Sequence, residues 1–339
     1  MDIAIWPTAT ASEADQQGWY DIWAAVYREQ LPDEPVPPHR AAWFWVSAHP
    51  ECQSRTTWRA VDESGRLAGW TTLTRNLRGT NQDRVSLDVQ VAPAARRRGI
   101  GTALVRRAAR VAREEGARVV GFETSDAPGP VNFLTSLGAI GCLADIRSVL
   151  DLGTLDLAVV QAGAQRPAGA AGYSLVRWGN DMTTADLADL ARVSTVMNTA
   201  PRGDLTANDE EPDTLVRRQW LEHVRDAGDD FITVCARDDA GDPAGFTMVR
   251  LNTSTWPGYG FQEDTGVDPA HRGHGLGLWL KCVMLQHLLQ EFPDLRRLET
   301  WNAAENEHML RINRLLGFRA TVSGLEWELS GPALDKLAG

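Results

Sequence analysis

Two short stretches of this chain combine residue types and spacing suited to holding an anion. V-A-P-A-A-R-R-R-G-I-G-T (91–102) and V-D-P-A-H-R-G-H-G-L-G-L (267–278) each end a strand-like run at V-x-P. R-x-x-G-x-G then starts three residues past the proline, and a helical pattern opens at once. A strand feeding a glycine loop and a helix N-terminus presents free backbone N–H groups at the positive end of the helix dipole, and glycine admits close approach. The candidates are Arg96, Arg97, Arg98, Gly99, Ile100, Gly101 and Thr102 in the first loop, and Arg272, Gly273, His274, Gly275, Leu276, Gly277 and Leu278 in the second. A dinucleotide fingerprint would need a third glycine where Leu104 stands, and no Walker lysine follows either loop. His271 and His274 lie beside the second loop without a third ligand, so anion contact or solvation is expected there and no metal.

The elements that position these loops follow from a repeat. Each residue set beside the one 176 positions later gives Thr57/Thr233, Asp62/Asp238, Ala68-Gly69/Ala244-Gly245, Asp88/Asp264, Pro93-Ala94/Pro269-Ala270, Gly99/Gly275 and Glu123-Thr124/Glu299-Thr300. That offset is read as unbroken from 57 to 124, a duplicated domain. In copy 1, strands are expected at 57–61, 67–72 and 85–91, a helix from the glycine loop to about 115, a strand at 118–124 and a short helix at 131–137. Copy 2 repeats the order. Hairpin-joined strands followed by strand–helix–strand crossovers describe an α/β fold with a mixed sheet. The Ala/Gly-rich stretch at 162–172 reads as linker composition. The expected division is 1–157, a linker at 158–172, and 173–339.

Composition agrees with a folded protein. A length of 339 residues suits two domains at roughly 100–200 residues each. Hydrophobic residues make up 43% and charged residues 23%, which excludes disorder as the dominant state. No apolar run is long enough for a membrane span, no secretory signal is visible, and four scattered cysteines fit a reducing cytoplasm. A formal charge of -11 opposes binding to phosphate backbones and favours cationic or amine partners. The thirteen tryptophans, including the run Trp43-Phe44-Trp45, are read mainly as packing.

The V-x-P-x-x-R-x-x-G-x-G pattern resembles the signature of the GNAT superfamily of acyl-CoA-dependent N-acyltransferases, over roughly 57–150 and 230–330. N-A-A-E-N-E-H-M-L-R-I-N-R-L-L-G-F (302–318) resembles the family's last helix, and V-N-F-L-T-S-L-G-A (131–139) is a shorter version of it. The match is to tandem GNAT proteins, a subgroup familiar from actinobacteria that includes mycothiol synthases; length and organisation are also similar to the tandem GNAT proteins of clavulanic acid gene clusters. The resemblance implies two GNAT-fold domains, each a mixed, mostly antiparallel sheet flanked by helices. It further implies that the loops hold the CoA pyrophosphate while the preceding strands, at Val89 and Val91 and at Thr265 and Val267, pair with the pantetheine arm. Acetyl-CoA, or another acyl-CoA, is the implied co-substrate.

Transfer to an amine needs a group that takes the amine's proton. At the common offset Glu263 stands against Leu87, whereas Asp264 and Asp88 match, so Glu263 is the expected base and Asp264 the secondary candidate. Where the family's tyrosine assists the leaving thiolate, four residues before the last-helix glycine, this chain has Asn313 and Leu134. Asn306 matches the family's asparagine near the pantetheine and also suits a helix N-cap. Copy 2 is therefore expected to catalyse and copy 1 to bind acyl-CoA without turnover. The expected partners are acyl-CoA and a small-molecule amine, with no nucleic acid and no membrane, a homodimer left open and a place in antibiotic biosynthesis suggested. A mycothiol-synthase-like acetyltransferase and a non-catalytic acyl-CoA sensor are the alternatives.

Overall fold

In the computed structural model, which describes residues 2–339, the sequence periodicities become the following elements. The chain opens with β1 (Asp2–Ile5), α1 (Glu13–Gln30), whose N-terminus Ser12 caps, and α2 (His39–Ser47). Three strands follow, β2 (Gln53–Val61), β3 (Leu67–Asn76) and β4 (Arg84–Val91). Next come α3 (Ile100–Glu114), β5 (Val119–Ser125), α4 (Pro128–Leu137), β6 (Ile140–Asp151) and α5 (Leu157–Gly163). The second copy contributes β7 (Ser174–Trp178), α6 (Thr184–Ser194), α7 (Thr214–Asp226), β8 (Asp229–Arg237), β9 (Pro243–Asn252) and β10 (Tyr259–Val267). It ends with α8 (Leu276–Glu291), β11 (Arg297–Ala303), α9 (Glu307–Leu315), β12 (Arg319–Ser330) and α10 (Gly331–Ala338).

The compact units interleave along the chain. One comprises the sequence up to Ala144, Arg202–Asn208 and Ser323–Gly339; the other comprises Asp145–Pro201 and Asp209–Val322. The first holds the strand order β1-β2-β3-β4-β5-β12 and the second β6-β11-β10-β9-β8-β7. Each is a mixed, mostly antiparallel sheet, parallel at β4–β5 and at β10–β11. The sixth strand of each sheet comes from the other sequence copy: β12 pairs with β5 from Gly324 to Ser330, and β6 pairs with β11 from Asp145 to Asp151. The divisions at 1–157 and 173–339 follow the sequence repeat, whereas the units follow strand pairing, which a repeat cannot reveal.

The stretch 158–172 is built into the second unit instead of crossing solvent. Val160 is 1% exposed and Ala170 is fully buried, both in the core that holds α8. Small residues serve close packing here: a Cβ on Gly163 would collide with Cys282 Sγ. Ala/Gly richness is thus a packing signal at this position, and composition alone does not separate that from a linker.

Two helices back the sheets in different ways. Leu104, Val105, Ala108, Ala109 and Ala112 of α3 are fully buried, at the helical spacing that makes one apolar stripe. On α8 the apolar character runs almost all round, with Leu276, Trp279, Leu280, Cys282, Met284, Leu285 and Leu288 buried, so this helix is enclosed on most sides. In the first unit Trp6, Trp19, Trp43 and Trp70 form one buried aromatic cluster, with Trp23 stacked on Trp19 at 5.6 Å. Much of the tryptophan richness is core.

The offset of 176 does not hold through the strand that carries the candidate base. On β10, Gly260, Phe261 and Gln262 stand opposite Leu251, Arg250 and Val249, as Val85, Ser86 and Leu87 of β4 stand opposite Arg75, Thr74 and Leu73. From Thr265 onward the match to Val89 follows the expected offset, because β10 carries a bulge between Gln262 and Thr265 and β4 does not. Glu263 and Asp264 together face Met248, where β4 has Asp88 alone facing Thr72. Leu87 is the counterpart of buried Gln262, not of Glu263. The Glu123/Glu299 identity is also out of structural register: Val120 and Leu298 are the equivalent inward residues, facing Val85 and Gly260. The one residue inserted at the β10 bulge was invisible to an alignment of identities, since it re-aims side chains without changing their types, and the further shift at β11 arises separately, after the bulge.

Candidate functional site

In both units the parallel pairing is brief. Only Arg84–Ser86 pair with Val119–Gly121, and only Tyr259–Phe261 pair with Arg297–Glu299. Beyond those residues the strands part, so the edges of β4 and β10 that face away from β3 and β9 offer backbone groups to an extended ligand. In the second unit a cavity of about 260 Å³ occupies the divergence, lined among others by Glu263, Asp264, Thr265, Lys281, Asn302 and Asn306.

The bulge beside this cavity has a local cause. The buried amide of Gln262 donates to Met248 O at 2.6 Å and to Thr247 Oγ1 at 3.1 Å, and Thr247 and Thr265 hydroxyls meet at 2.7 Å. These polar groups replace the ladder bonds that an extra residue disrupts. The apolar Leu87 of β4 could supply none of them.

At the bulge, Glu263 is held by a charged chain. Arg250 Nε donates to Glu263 Oε1 at 3.1 Å and Arg250 Nη1 to Asp229 Oδ2 at 3.0 Å, while the guanidinium lies 4.0 Å from the Phe261 ring centroid. The Glu263 side chain is still 37% exposed, toward the cleft. Surrounding protein pushes its carboxyl above the usual range; the charge and hydrogen bond of Arg250 oppose this, and Asp264 and Glu299 reinforce it. Burial raises Asp264 as well, opposed by the charge of Arg217 on α7. Burial likewise raises Asp229, against Arg250. Nearby, Arg147, 1% exposed, binds Glu299 Oε2 at 2.6 Å, and Tyr259 donates to the same oxygen at 2.7 Å.

The two last-helix asparagines have different surroundings. Asn306 lines the cavity and caps α9, accepting from Met309 N at 3.2 Å. Asn313 is 1% exposed and donates to Asn302 Oδ1 at 2.7 Å, so Asn302 stands between it and the cavity. Leu134, its copy 1 counterpart, is equally buried. Several wall residues escaped the sequence reasoning, among them Gln262, Glu299, Asn302 and, on the helix side, Lys281. Lys281 of α8 is 2% exposed, and burial lowers its pKa to about 7, with the neighbouring Cys282 opposing weakly. Its sequence signal is a lone charge inside the apolar run L-W-L-K-C-V-M-L.

Both loops form as expected. Gly99 and Gly275 are left-handed, at φ 80°, and precede α3 and α8 without any side-chain cap, in contrast to the capped α1, α6, α7 and α9. Their first N–H groups are available to an anion. A Cβ on Gly101 would meet the Phe133 ring at 3.2 Å, so glycine there lets α4 approach α3. The motif arginines divide. Arg96 Nε donates to Val91 O at 3.3 Å and Arg272 Nε to Val267 O at 3.1 Å, which ties each loop back to its strand. Arg96 also pairs with Glu29 at 2.7 Å, and Arg272 reaches Thr199 Oγ1 at 2.5 Å. Arg97 and Arg98 are exposed, with no ion pair among the described residues. The second loop has Gly273 and His274 at those places; His274 Nδ1 lies 3.1 Å from His271 O, and His271 Nδ1 lies 2.9 Å from the Tyr173 hydroxyl. Among the described residues no cluster of three metal-ligating side chains occurs, and no helix is long and apolar enough to cross a membrane.

Comparison with known proteins matches the acetyltransferase (GNAT) family at residues 17–138 and 195–318. Mycothiol acetyltransferase of Mycobacteroides abscessus is 29% identical over 245 residues, covering 70% of this chain and 72% of that protein. A tandem GNAT protein from the clavulanic acid biosynthesis pathway superposes with a TM-score of 0.77 at 27% identity, covering 98% of this chain and 99% of the other. A GCN5-related N-acetyltransferase from Sphaerobacter thermophilus shares the fold, with a TM-score of 0.67 at 16% identity over 97% of this chain and 95% of the other.

Proposed function

Because the chain belongs to the acetyltransferase (GNAT) family, as a tandem member, we propose that its second unit transfers an acetyl group from acetyl-CoA to the amine of a small metabolite. The observation that carries this reading is the juxtaposition of an uncapped helix N-terminus, a strand edge free to pair, and a bulge that sets two carboxylates on the wall of one cavity. The N–H groups at the start of α8 would hold the pyrophosphate, and the free edge of β10 near Thr265 and Val267 would pair with the pantetheine. Backbone N–H groups of the bulge would stabilise the oxyanion of the addition step.

Glu263 takes the proton of the acceptor ammonium, directly or through one water. An alkyl amine with a pKa near 10.4 costs about 4–5 kcal/mol to deprotonate at neutral pH, so a positioned base matters. The Asp88/Asp264 identity no longer selects between the two acids, since both bulge residues replace Asp88. Glu263 is preferred on geometry: Arg250 orients it and its carboxylate reaches the cleft. In the first unit Arg97 and Arg98 favour phosphate retention, and the unbulged β4 favours binding without turnover.

The likeness to a mycothiol acetyltransferase favours an amino-sugar–cysteine acceptor as the second reading, and the clavulanic-acid neighbour favours a role in secondary metabolism. Native mass spectrometry with acetyl-CoA, counting CoA adducts in the wild type, in Arg97→Ala/Arg98→Ala and in a Gly275→Pro variant, tests the binding assignments. Loss of one adduct with each loop variant is expected. CoA release from acetyl-CoA in the presence of small-amine pools tests turnover, and absence of both a second adduct and release would leave an acyl-CoA-binding protein.

A further inference from the structure

The leaving thiolate lacks an acid in the usual place, since Asn313 carries no transferable proton and lies behind Asn302. A different side chain reaches the same cavity from the helix side. Lys281 is almost fully enclosed and lines the cavity beside Asn302 and Asn306. Its ammonium lies 5.2 Å from the Phe318 ring centroid and has no hydrogen-bond or ion-pair partner among the described residues. Packing does not require a lysine there. The first copy has Val105 at the equivalent turn of α3, fully buried, so an apolar side chain fills that place in the same fold. A buried cation without a counter-ion is costly unless a ligand brings one.

We propose that Lys281 is the acid that protonates the departing CoA thiolate in the second unit. The inference rests on the acetyl-transfer reading above. As the tetrahedral adduct collapses, the carbon–sulfur bond breaks and its electron pair goes to sulfur. The Lys281 ammonium gives its proton to that sulfur, leaving CoA as the thiol and Lys281 as the neutral amine; water entering the cleft after product release restores the proton. Burial brings the lysine near the range where it can give and regain a proton at neutral pH. The other titratable groups around the cavity are Glu263 and Asp264 on β10 and Glu299 on β11, with Cys282 beside Lys281 on α8, its thiol pushed up to about 11.

The test is an ultraviolet titration of the thiolate of CoA bound to the full-length wild type and to Lys281→Met, with the first-unit site silenced by Arg97→Ala/Arg98→Ala. In the wild type the bound thiol should ionise about one pH unit or more below its ordinary 8.5, and in Lys281→Met that change should vanish while CoA still binds. Failure of CoA to bind the second unit at all would sink the acetyl-transfer reading itself. Binding with the same thiol titration in both proteins would overturn only the role of Lys281. With an amine found by the release screen, Lys281→Met should lose about 10²–10⁴ in kcat with KM for acetyl-CoA little changed. Lys281→Arg keeps the charge but cannot give up the proton, so it should stay slow. Wild-type turnover in that variant would refute proton transfer. A thermal melt confirms that each variant folds.

Discussion

Replacing Lys281 by methionine should stabilise the protein, and by an amount that depends on pH in a defined way. The lysine's pKa falls from 10.5 in the unfolded chain to about 7 in the native state because burial disfavours the ammonium. At about 1.4 kcal/mol per tenfold change, this is a penalty on the order of 4–5 kcal/mol at and below neutral pH. Relaxation and water in the adjoining cavity reduce what is observed, to about 2–4 kcal/mol. Between pH 7 and pH 10.5 the unfolded chain holds a proton that the native chain does not. Stability of the wild type should therefore rise with pH across that window, and the advantage of Lys281→Met should shrink to near zero at its upper end. Methionine is a fair replacement because it has similar length, bends to fit, and Val105 shows that the position accepts an apolar side chain. Urea unfolding followed by far-ultraviolet circular dichroism at neutral pH and near pH 10 measures the gap in the transition that responds to the substitution. Equal stability of the two proteins at neutral pH would mean that the native ammonium is solvated or paired, and would refute the burial on which the acid's role depends.

Two further outcomes follow from the bulge. The acid limb of kcat should rise with pH through a value above the ordinary carboxylate range, because burial raises Glu263 and the base must be ionised. Arg250→Met should move that limb to still higher pH by removing the opposing charge, and a limb unmoved in Glu263→Gln would show that another group is the base. Deleting Glu263 should convert β10 to the regular ladder of β4, preserving the fold by circular dichroism while abolishing CoA release in the amine screen; full turnover in the deletion would separate the bulge from catalysis.

The duplicated loops, the strands that feed them and the helices that follow are local. V-x-P stops a strand, glycine at positive φ turns the chain, and an apolar stripe at helical spacing selects the buried face of α3; each depends on residues close in sequence, so the sequence by itself determined them and the mixed-sheet fold they imply. Tertiary structure alone decided the rest. Which copy supplies the sixth strand of each sheet depends on pairing between residues such as Leu325 and Thr124, far apart in the chain and unmarked by any motif. The bulge turns on whether Gln262 finds Met248 O and Thr247 across the ladder, and it changes the partner of Glu263 without altering a residue type. Arg272 carries the motif's charge yet spends its Nε proton on Val267 O, since a loop must be tied down before it can hold anything. Lys281 shows the limit most plainly: in sequence it is one charge on an apolar helix, and only the enclosure by α8, β10 and β11 makes it a proton donor facing a cavity.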